Sequence, residues 1–218
     1  MKKVVGIGIG PGDKELLTLK AYRVIRECNV VFLPESKGES LAKQICWDYI
    51  KDKQVVELSF PMGEENSGRY VEAAQRIDSI LTGGQTGVFL TLGDPLTYST
   101  YAYLRLQLDK LDIQTETIPG ITSYQGAAAL LGTAIVNRDE SFYLADGDVD
   151  MEVLQRVQAV SILKVSKNKE RIMEKLELAG FSYVYVKRCT QESQAILVDK
   201  EEILKDQDYM SLIFARRS

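Results

Sequence analysis

Three glycine-bearing stretches hold the residue types that could do chemistry in this chain. They are Gly6-Ile7-Gly8-Ile9-Gly10-Pro11-Gly12-Asp13, Thr91-Leu92-Gly93-Asp94-Pro95 and Pro119-Gly120-Ile121-Thr122-Ser123. Glycine lets a backbone turn tightly or approach a ligand closely. An aspartate at a strand end can accept hydrogen bonds from a ligand ammonium or ribose, or close an Asx-type turn on its own backbone. The hydroxyls of Thr122 and Ser123 can meet a polar ligand or cap a helix. The first stretch misses the dinucleotide spacing G-x-G-x-x-G, because the last position falls on Asp13 or Pro11. It misses the Walker pattern too, since Glu15 stands where Ser or Thr is required. Histidine is absent. That excludes Ser-His-Asp and Cys-His catalysis and the usual His-bearing zinc sites. A general base would have to be a carboxylate, Lys, Tyr, Cys, the substrate or water.

These stretches need a scaffold, and the hydrophobic pattern supplies one. Val4–Ile9 is a short β-branched run that reads as a buried strand, followed by the glycine loop and a helix over Lys14–Cys28. Further strands are expected at Asn29–Leu33, stopped by Pro34, at Gln54–Leu58 and at Val88–Leu92. Helices are expected over Leu41–Ile50, Ser67–Leu81 and Tyr98–Leu108. Apolar strands alternating with helices predict a largely parallel sheet covered on both faces. In such sheets ligands bind beyond the carboxyl ends of the strands, which is where the first two stretches fall. After Thr117 the texture changes. A turn leads into a small-residue helix, Gly126–Leu131. Strands then follow at Ser141–Leu144, Val160–Val165, Tyr183–Lys187, Ala195–Val198 and Ser211–Ala215, with helices at Glu152–Val157 and Lys169–Ala179. The short links between the last strands predict antiparallel pairs in a mixed sheet. Two α/β domains are therefore expected, 1–118 with a mainly parallel sheet and 119–218 with a mixed one.

The composition narrows the class. The chain has 218 residues, 45% of them hydrophobic, enough to bury a sizeable core. Lys+Arg number 27 against 31 Asp+Glu, a net charge of -4. With no long basic run, a nucleic-acid partner is not expected. The cysteines Cys28, Cys46 and Cys189 form no C-x-x-C pair and read as reduced thiols, pointing to a cytoplasmic protein. Met1-Lys2-Lys3 leads straight into an apolar run too short and too Gly-rich for a signal peptide. No stretch approaches membrane-spanning length, so no membrane partner is expected.

Taken in order, Gly8-Ile9-Gly10-Pro11-Gly12-Asp13 with Leu16-Leu17-Thr18-Leu19-Lys20-Ala21, then Leu92-Gly93-Asp94-Pro95, then Pro119-Gly120-Ile121-Thr122-Ser123 resemble the signatures of the tetrapyrrole (corrin/porphyrin) methylases. The resemblance spans essentially the whole chain. Within that family the segment Val31–Ala42 resembles the precorrin-2/cobalt-factor II C20-methyltransferases. So do Phe60-Pro61-Met62, Gly93–Tyr101 and Leu163-Lys164-Val165. Uroporphyrinogen methylases typically carry Tyr-Asp where this chain has Leu33-Pro34. Diphthine synthases and the ribosomal-RNA relatives share the opening and the Gly-Asp-Pro signature but lack the Pro34-to-Ala42 block. Those groups are the alternative enzymes, and a non-catalytic α/β ligand-binding protein is a further class. The resemblance implies two α/β domains with a cofactor cleft between them, S-adenosylmethionine as methyl donor, a tetrapyrrole as acceptor, and a homodimer.

The resemblance places cofactor contacts at Pro11, Leu92, Gly93, Asp94, Thr97, Thr122 and Ser123, with later backbone contacts near Val165 and Cys189. It places the substrate near Gly10, Gly12, Glu35, Tyr98 and Tyr101. No metal site is implied. Methyl transfer from a sulfonium to a ring carbon is an in-line displacement, which needs alignment and a dry cleft more than a protein nucleophile. The lack of histidine is therefore no obstacle, and the catalytic base is left open among Glu35, Tyr98, Tyr101 and water. A tetrapyrrole with acidic side chains calls for cations or backbone N–H groups. Lys37, Arg69, Lys164, Lys167 and Arg188 are the candidate cations, each of which could equally be a solvated surface charge.

Overall fold

The computed structural model describes residues 1–36, 40–60 and 67–217. Lys37, one of the candidate cations, and most of the Phe60-Pro61-Met62 motif lie outside them. The chain divides into two compact units, Met1–Thr122 and Ser123–Ser218.

The first unit contains strands β1 (Lys3–Gly8), β2 (Val30–Glu35), β3 (Gln54–Ser59), β4 (Thr86–Thr91) and β5 (Gln114–Ile118). They form one sheet in the order β3-β2-β4-β1-β5, with every described pair parallel. Helices α1 (Leu19–Glu27), α2 (Leu41–Ile50), α3 (Ser67–Ile80) and α4 (Thr100–Asp109) connect them. Alternate strand residues serve opposite faces. On one face Val5, Ile7, Val31, Leu33, Val88 and Leu90 pack with Ala21 and Ile25 of α1 and Ala42, Cys46 and Ile50 of α2. On the other, Val4, Phe32 and Phe89 pack with Ala74 and Ile77 of α3 and Tyr101, Leu104 and Leu108 of α4. Both faces are dry, which explains why these strands read as continuous apolar runs.

Local chemistry moved two expected boundaries. The helix expected over Lys14–Cys28 is a 3-10 turn at Lys14–Leu16 followed by α1. Asp13 caps the turn by accepting from the Glu15 N–H, and Thr18 caps α1 by accepting from the Ala21 N–H, with Leu17 extended between them. Two good caps five residues apart favour two short elements over one. Strand β2 is not stopped by Pro34 but runs to Glu35. The Glu35 carbonyl accepts from the Phe60 N–H on the β3 side, so Pro34 turns its nitrogen the other way. There the described β4 pairing has ended at Phe32, and no ladder bond is missed. Strand β5 was not anticipated. Its sequence QTETI is polar because it is an edge strand, with only Ile118 buried.

The second unit contains α5 (Ser123–Leu131), β6 (Phe142–Asp146), α6 (Met151–Leu154), β7 (Ala159–Leu163), α7 (Lys169–Leu178), β8 (Phe181–Lys187), β9 (Ala195–Leu197), α8 (Lys200–Lys205) and β10 (Ser211–Arg217). Its sheet has the order β6-β7-β10-β8-β9. Strand β6 is parallel to β7, while β10 is antiparallel to both β7 and β8, and β9 is antiparallel to β8. One face packs Ile172, Met173 and Leu176 of α7 against Val160, Ile162 and Ile213. The other packs Ala127 and Ala128 of α5 against Val186, Leu212 and Phe214. Among the described residues no helix is long and apolar enough to cross a membrane.

Candidate active site

Because β1, β4 and β5 are parallel, the three glycine-bearing loops leave the sheet at the same edge. The structure joins them backbone to backbone. The Gly93 N–H donates to the Gly10 carbonyl at 2.8 Å, and the Gly10 N–H donates back at 3.4 Å. Both residues take left-handed φ, +81° at Gly10 and +70° at Gly93. A Cβ on Gly8 would lie 2.5 Å from the Gly120 nitrogen and 2.6 Å from the Gly93 carbonyl oxygen. A Cβ on Gly120 would lie 2.2 Å from that same oxygen. Side chains on Gly8 or Gly120 would force the backbones apart, and the left-handed φ of Gly93 disfavours one there, so the junction is built of glycine.

Asp94 fastens the junction. Its Oδ1 accepts from the Leu96 N–H at 2.9 Å and from the Thr97 hydroxyl at 3.2 Å. Its Oδ2 accepts from the Gly120 N–H at 3.1 Å. Asp94 thus closes the Asx-type turn, and its carboxylate ties the β4 loop to the Pro119–Ser123 turn. The space a side chain would take at Gly93 is open, with the Thr122 Cα at 4.0 Å as its nearest neighbour. Gly93 and Thr122 thus border the same open space, floored by backbone. Pro11 is buried, and Gly12, Leu92, Thr97 and Ser123 are partly buried. Glu35 ends β2 at the same edge of the sheet, and Tyr98 follows in the β4–α4 loop, 46% exposed.

Burial sets one of the predicted residues apart. Tyr101 is fully buried beneath the sheet, and its hydroxyl donates to the Glu116 carbonyl at 2.8 Å. A Cβ on Gly6 would lie 2.1 Å from its ring, so the first glycine of the opening stretch makes room for that ring. Burial also pushes the Tyr101 hydroxyl upward in pKa. Tyr101 packs in the core of the first unit.

The remaining predicted residues belong to the second unit. Strands β7 and β8 run in the same direction on either side of β10, so Val165 and Cys189 follow strand ends at one edge of that sheet. The end of β6 lies there too, with Asp146 in register with Leu163. The backbone at this edge is unusual. Gly147, Lys164, Arg188 and Thr190 all take left-handed φ, at 74°, 55°, 48° and 65°. Three of the four carry side chains, and such strained positions gather where a fold presents backbone groups to a ligand. The side chains of Val165 and Cys189 are themselves buried, so the surface they offer is main chain. The composition of these loops gave no signal of the left-handed residues.

The candidate cations are largely committed. Lys164 pairs with Asp146 at 3.0 Å and Arg69 with Glu72 at 3.1 Å, while Arg188 pairs with Asp208. Lys167 is exposed. Burial pushes the thiols of Cys28 and Cys189 up to about 11 and that of Cys46 up to about 12, so none is a thiolate near neutrality. The arrangement offers shaped backbone and hydrogen-bonding groups, which suits alignment of two ligands better than covalent catalysis.

The fold is shared with a solved methyltransferase. Uroporphyrin-III C-methyl transferase from Thermus thermophilus, complexed with S-adenyl homocysteine, superposes with a TM-score of 0.76, covering 98% of this chain and 97% of that one at 20% identity. The chain belongs to the tetrapyrrole (corrin/porphyrin) methylases, whose family model matches residues 3–204. Two curated relatives align along nearly its whole length. A Methanocaldococcus jannaschii protein named "Probable cobalt-precorrin-2 C(20)-methyltransferase" is 33% identical over 100% of this chain and 97% of its own. The precorrin-2 C(20)-methyltransferase of a Sinorhizobium species is 29% identical over 97% of this chain and 94% of its own.

Proposed function

We propose that this chain is an S-adenosylmethionine-dependent methyltransferase that methylates C20 of precorrin-2 or cobalt-factor II in cobalamin biosynthesis. The observation that carries the reading is the full-length similarity, at 33% identity, to a relative named for that reaction. The site supports it: the three glycine-bearing loops meet backbone to backbone at the carboxyl edge of the parallel sheet, where ligands bind in such folds. When bound, S-adenosylmethionine supplies an electrophilic methyl group on sulfur.

In this reading Pro11, Leu92, Gly93, Asp94, Thr97 and Thr122 of the first unit hold the cofactor. The domains are proposed as 1–118 and 119–218. Gly10, Gly12, Glu35 and Tyr98 face the tetrapyrrole. The junction presents backbone groups already fixed in place, so little ordering is needed on binding. The acceptor carbon of a reduced macrocycle is electron-rich in its own right, so the protein's part is to align it and exclude water. We further propose a cytoplasmic homodimer with an isologous apolar interface. A dimer mass by light scattering is the expected result, and a monomer at micromolar concentration removes that element. The function is tested by incubating the protein with precorrin-2, and separately with cobalt-factor II, in the presence of labelled S-adenosylmethionine. One methyl group on C20 is expected, and cofactor binding without any methylated tetrapyrrole refutes the reading.

A further inference from the structure

Helix α4 presents three sides, and two of them have partners. Tyr101, Leu104 and Leu108 are buried against the sheet. Tyr103 turns toward α3, where its ring stacks on Tyr70 with centroids 5.3 Å apart. The third side carries Ala102, Arg105, Leu106 and Asp109, which fall within about 100° of the helix circumference. Asp109 accepts from the Thr115 hydroxyl at 2.9 Å, so this flank lies toward β5. Strand β5 ends the sheet, with no described strand beyond it. The charges on the flank are unpaired. Arg105 is partly buried, and its Nε is shut off from solvent without a hydrogen-bond partner. No ion pair among the described residues involves Arg105 or Asp109, although a cation and an acid four positions apart share one helix face. Leu106 stands beside them, 50% exposed. A guanidinium partly out of water with no acceptor is costly, which favours an acceptor supplied by another molecule.

We propose that this flank of α4 is the homodimer surface: it packs antiparallel on the same flank of a second copy, with Arg105 of each protomer paired to the partner subunit's Asp109. The proposal rests on the homodimer of the reading above and names its surface. The occupant follows from the spacing of the charges. A twofold axis midway between residues 105 and 109 exchanges them, so one antiparallel crossing makes two identical ion pairs. A second copy carries the complementary charges by construction. Any other partner would need an acid and a base set one helical turn apart in the opposite order. Leu106 lies beside the axis and meets its own counterpart, which gives the contact an apolar centre between two ion pairs. The same placement brings the partner alongside the open edge of β5, and an edge so covered no longer invites pairing with other chains.

The test is sedimentation of the full chain over a range of concentrations, with circular dichroism to establish that each variant is folded. The parent should sediment as a dimer. Arg105→Glu sets acid against acid at both pairs, and Asp109→Arg sets base against base. Each should raise the dimer Kd about a hundredfold, because the axis counts every change twice. The double variant Arg105→Glu/Asp109→Arg restores opposite charges and should return the Kd to within about threefold of the parent. Leu106→Cys alters only a surface position, and a short bismaleimide should join it to its mate, while Cys28, Cys46 and Cys189 are buried and stay unlabelled. A parent dimer whose Kd is unchanged in both single variants overturns the surface and leaves the homodimer standing. So does a double variant no tighter than the singles, or a Leu106→Cys dimer that does not cross-link. A monomeric parent overturns the homodimer and its surface together.

Discussion

Replacing Gly120 with alanine strikes the loop junction where it has no slack. The new Cβ would stand 2.2 Å from the Gly93 carbonyl oxygen and 2.7 Å from the Gly8 Cα and carbonyl carbon, where ordinary contact is 3.4–4 Å. All three neighbours are backbone atoms, so no side chain can swing aside. Relief requires the β5 loop to move away from the β1 and β4 loops by on the order of 1 Å, and overpacking of this kind costs about 1–3 kcal/mol. For a chain of this length each kcal/mol lowers the melting temperature by about 2–4 °C. A drop of about 2–12 °C is therefore expected. The same movement stretches the 3.1 Å bond from the Gly120 N–H to Asp94 and displaces Thr122 from the space above Gly93. Misplacement on this scale can cost about a hundredfold in turnover. Differential scanning calorimetry gives the stability, and titration with S-adenosylhomocysteine at low temperature gives the affinity of the still-folded variant. Parental melting temperature and parental affinity together would refute the junction as a constraint on the site.

Asp94→Ala removes the acceptor for Leu96, Thr97 and Gly120. S-adenosylhomocysteine affinity should fall about tenfold to a hundredfold, the equivalent of about 1.5–3 kcal/mol. Unchanged affinity by calorimetry would leave Asp94 as a turn residue alone. Tyr101→Phe deletes the hydrogen bond to the Glu116 carbonyl and should cost about 0.5–1.5 kcal/mol in urea denaturation. Its tetrapyrrole KM should not change, and a raised KM at parental stability would return Tyr101 to the site. Glu116 receives hydrogen bonds from Lys20 and Lys3, which hold its carboxyl down at about 2, below the ordinary 4.5. A depressed folded-state pKa contributes stability that is fully present above the unfolded value and is lost as pH falls through the folded one. The stability gap between the parent and Glu116→Gln should therefore be full at neutral pH and shrink below about 4.5, vanishing near 2. Solvent screening of these partly exposed groups keeps that gap within about 1 kcal/mol. A gap that is constant across this range would show that the pairs do not couple to folding.

The two-layered alternation of the first unit was legible because Val4–Ile9, Asn29–Leu33 and Val88–Leu92 are buried on both faces and carry no polar residue apart from Asn29 and Thr91, at the strand ends. Strand β5 escaped because an edge strand can be polar, and Gln114, Thr115, Glu116 and Thr117 carry none of the apolar signal. Pro34 misled for a related reason. Proline is incompatible with a ladder bond, and only the register shows that none is required of it. The three glycine stretches identified the edge of the sheet where the site would lie, but not how they meet. Which glycine fits against which backbone depends on three strands far apart in sequence. Tyr101 was drawn to the site by its place in a motif. A helical reading of Tyr101, Leu104 and Leu108 on one stripe puts it in the core, and that signal was present in the sequence. The left-handed residues Tyr98, Lys164, Arg188 and Thr190 left no trace, because none is of a type that favours that conformation.

The decisive observation is the product formed from precorrin-2 and from its cobalt-loaded form, assayed side by side with isotopically labelled S-adenosylmethionine. Mass spectrometry counts the methyl groups gained and NMR locates the labelled carbon. A C20-methyltransferase gives one labelled methyl, on C20, from at least one of the two substrates. A methyl on another carbon, or label recovered only in unreacted cofactor, would contradict the proposed function.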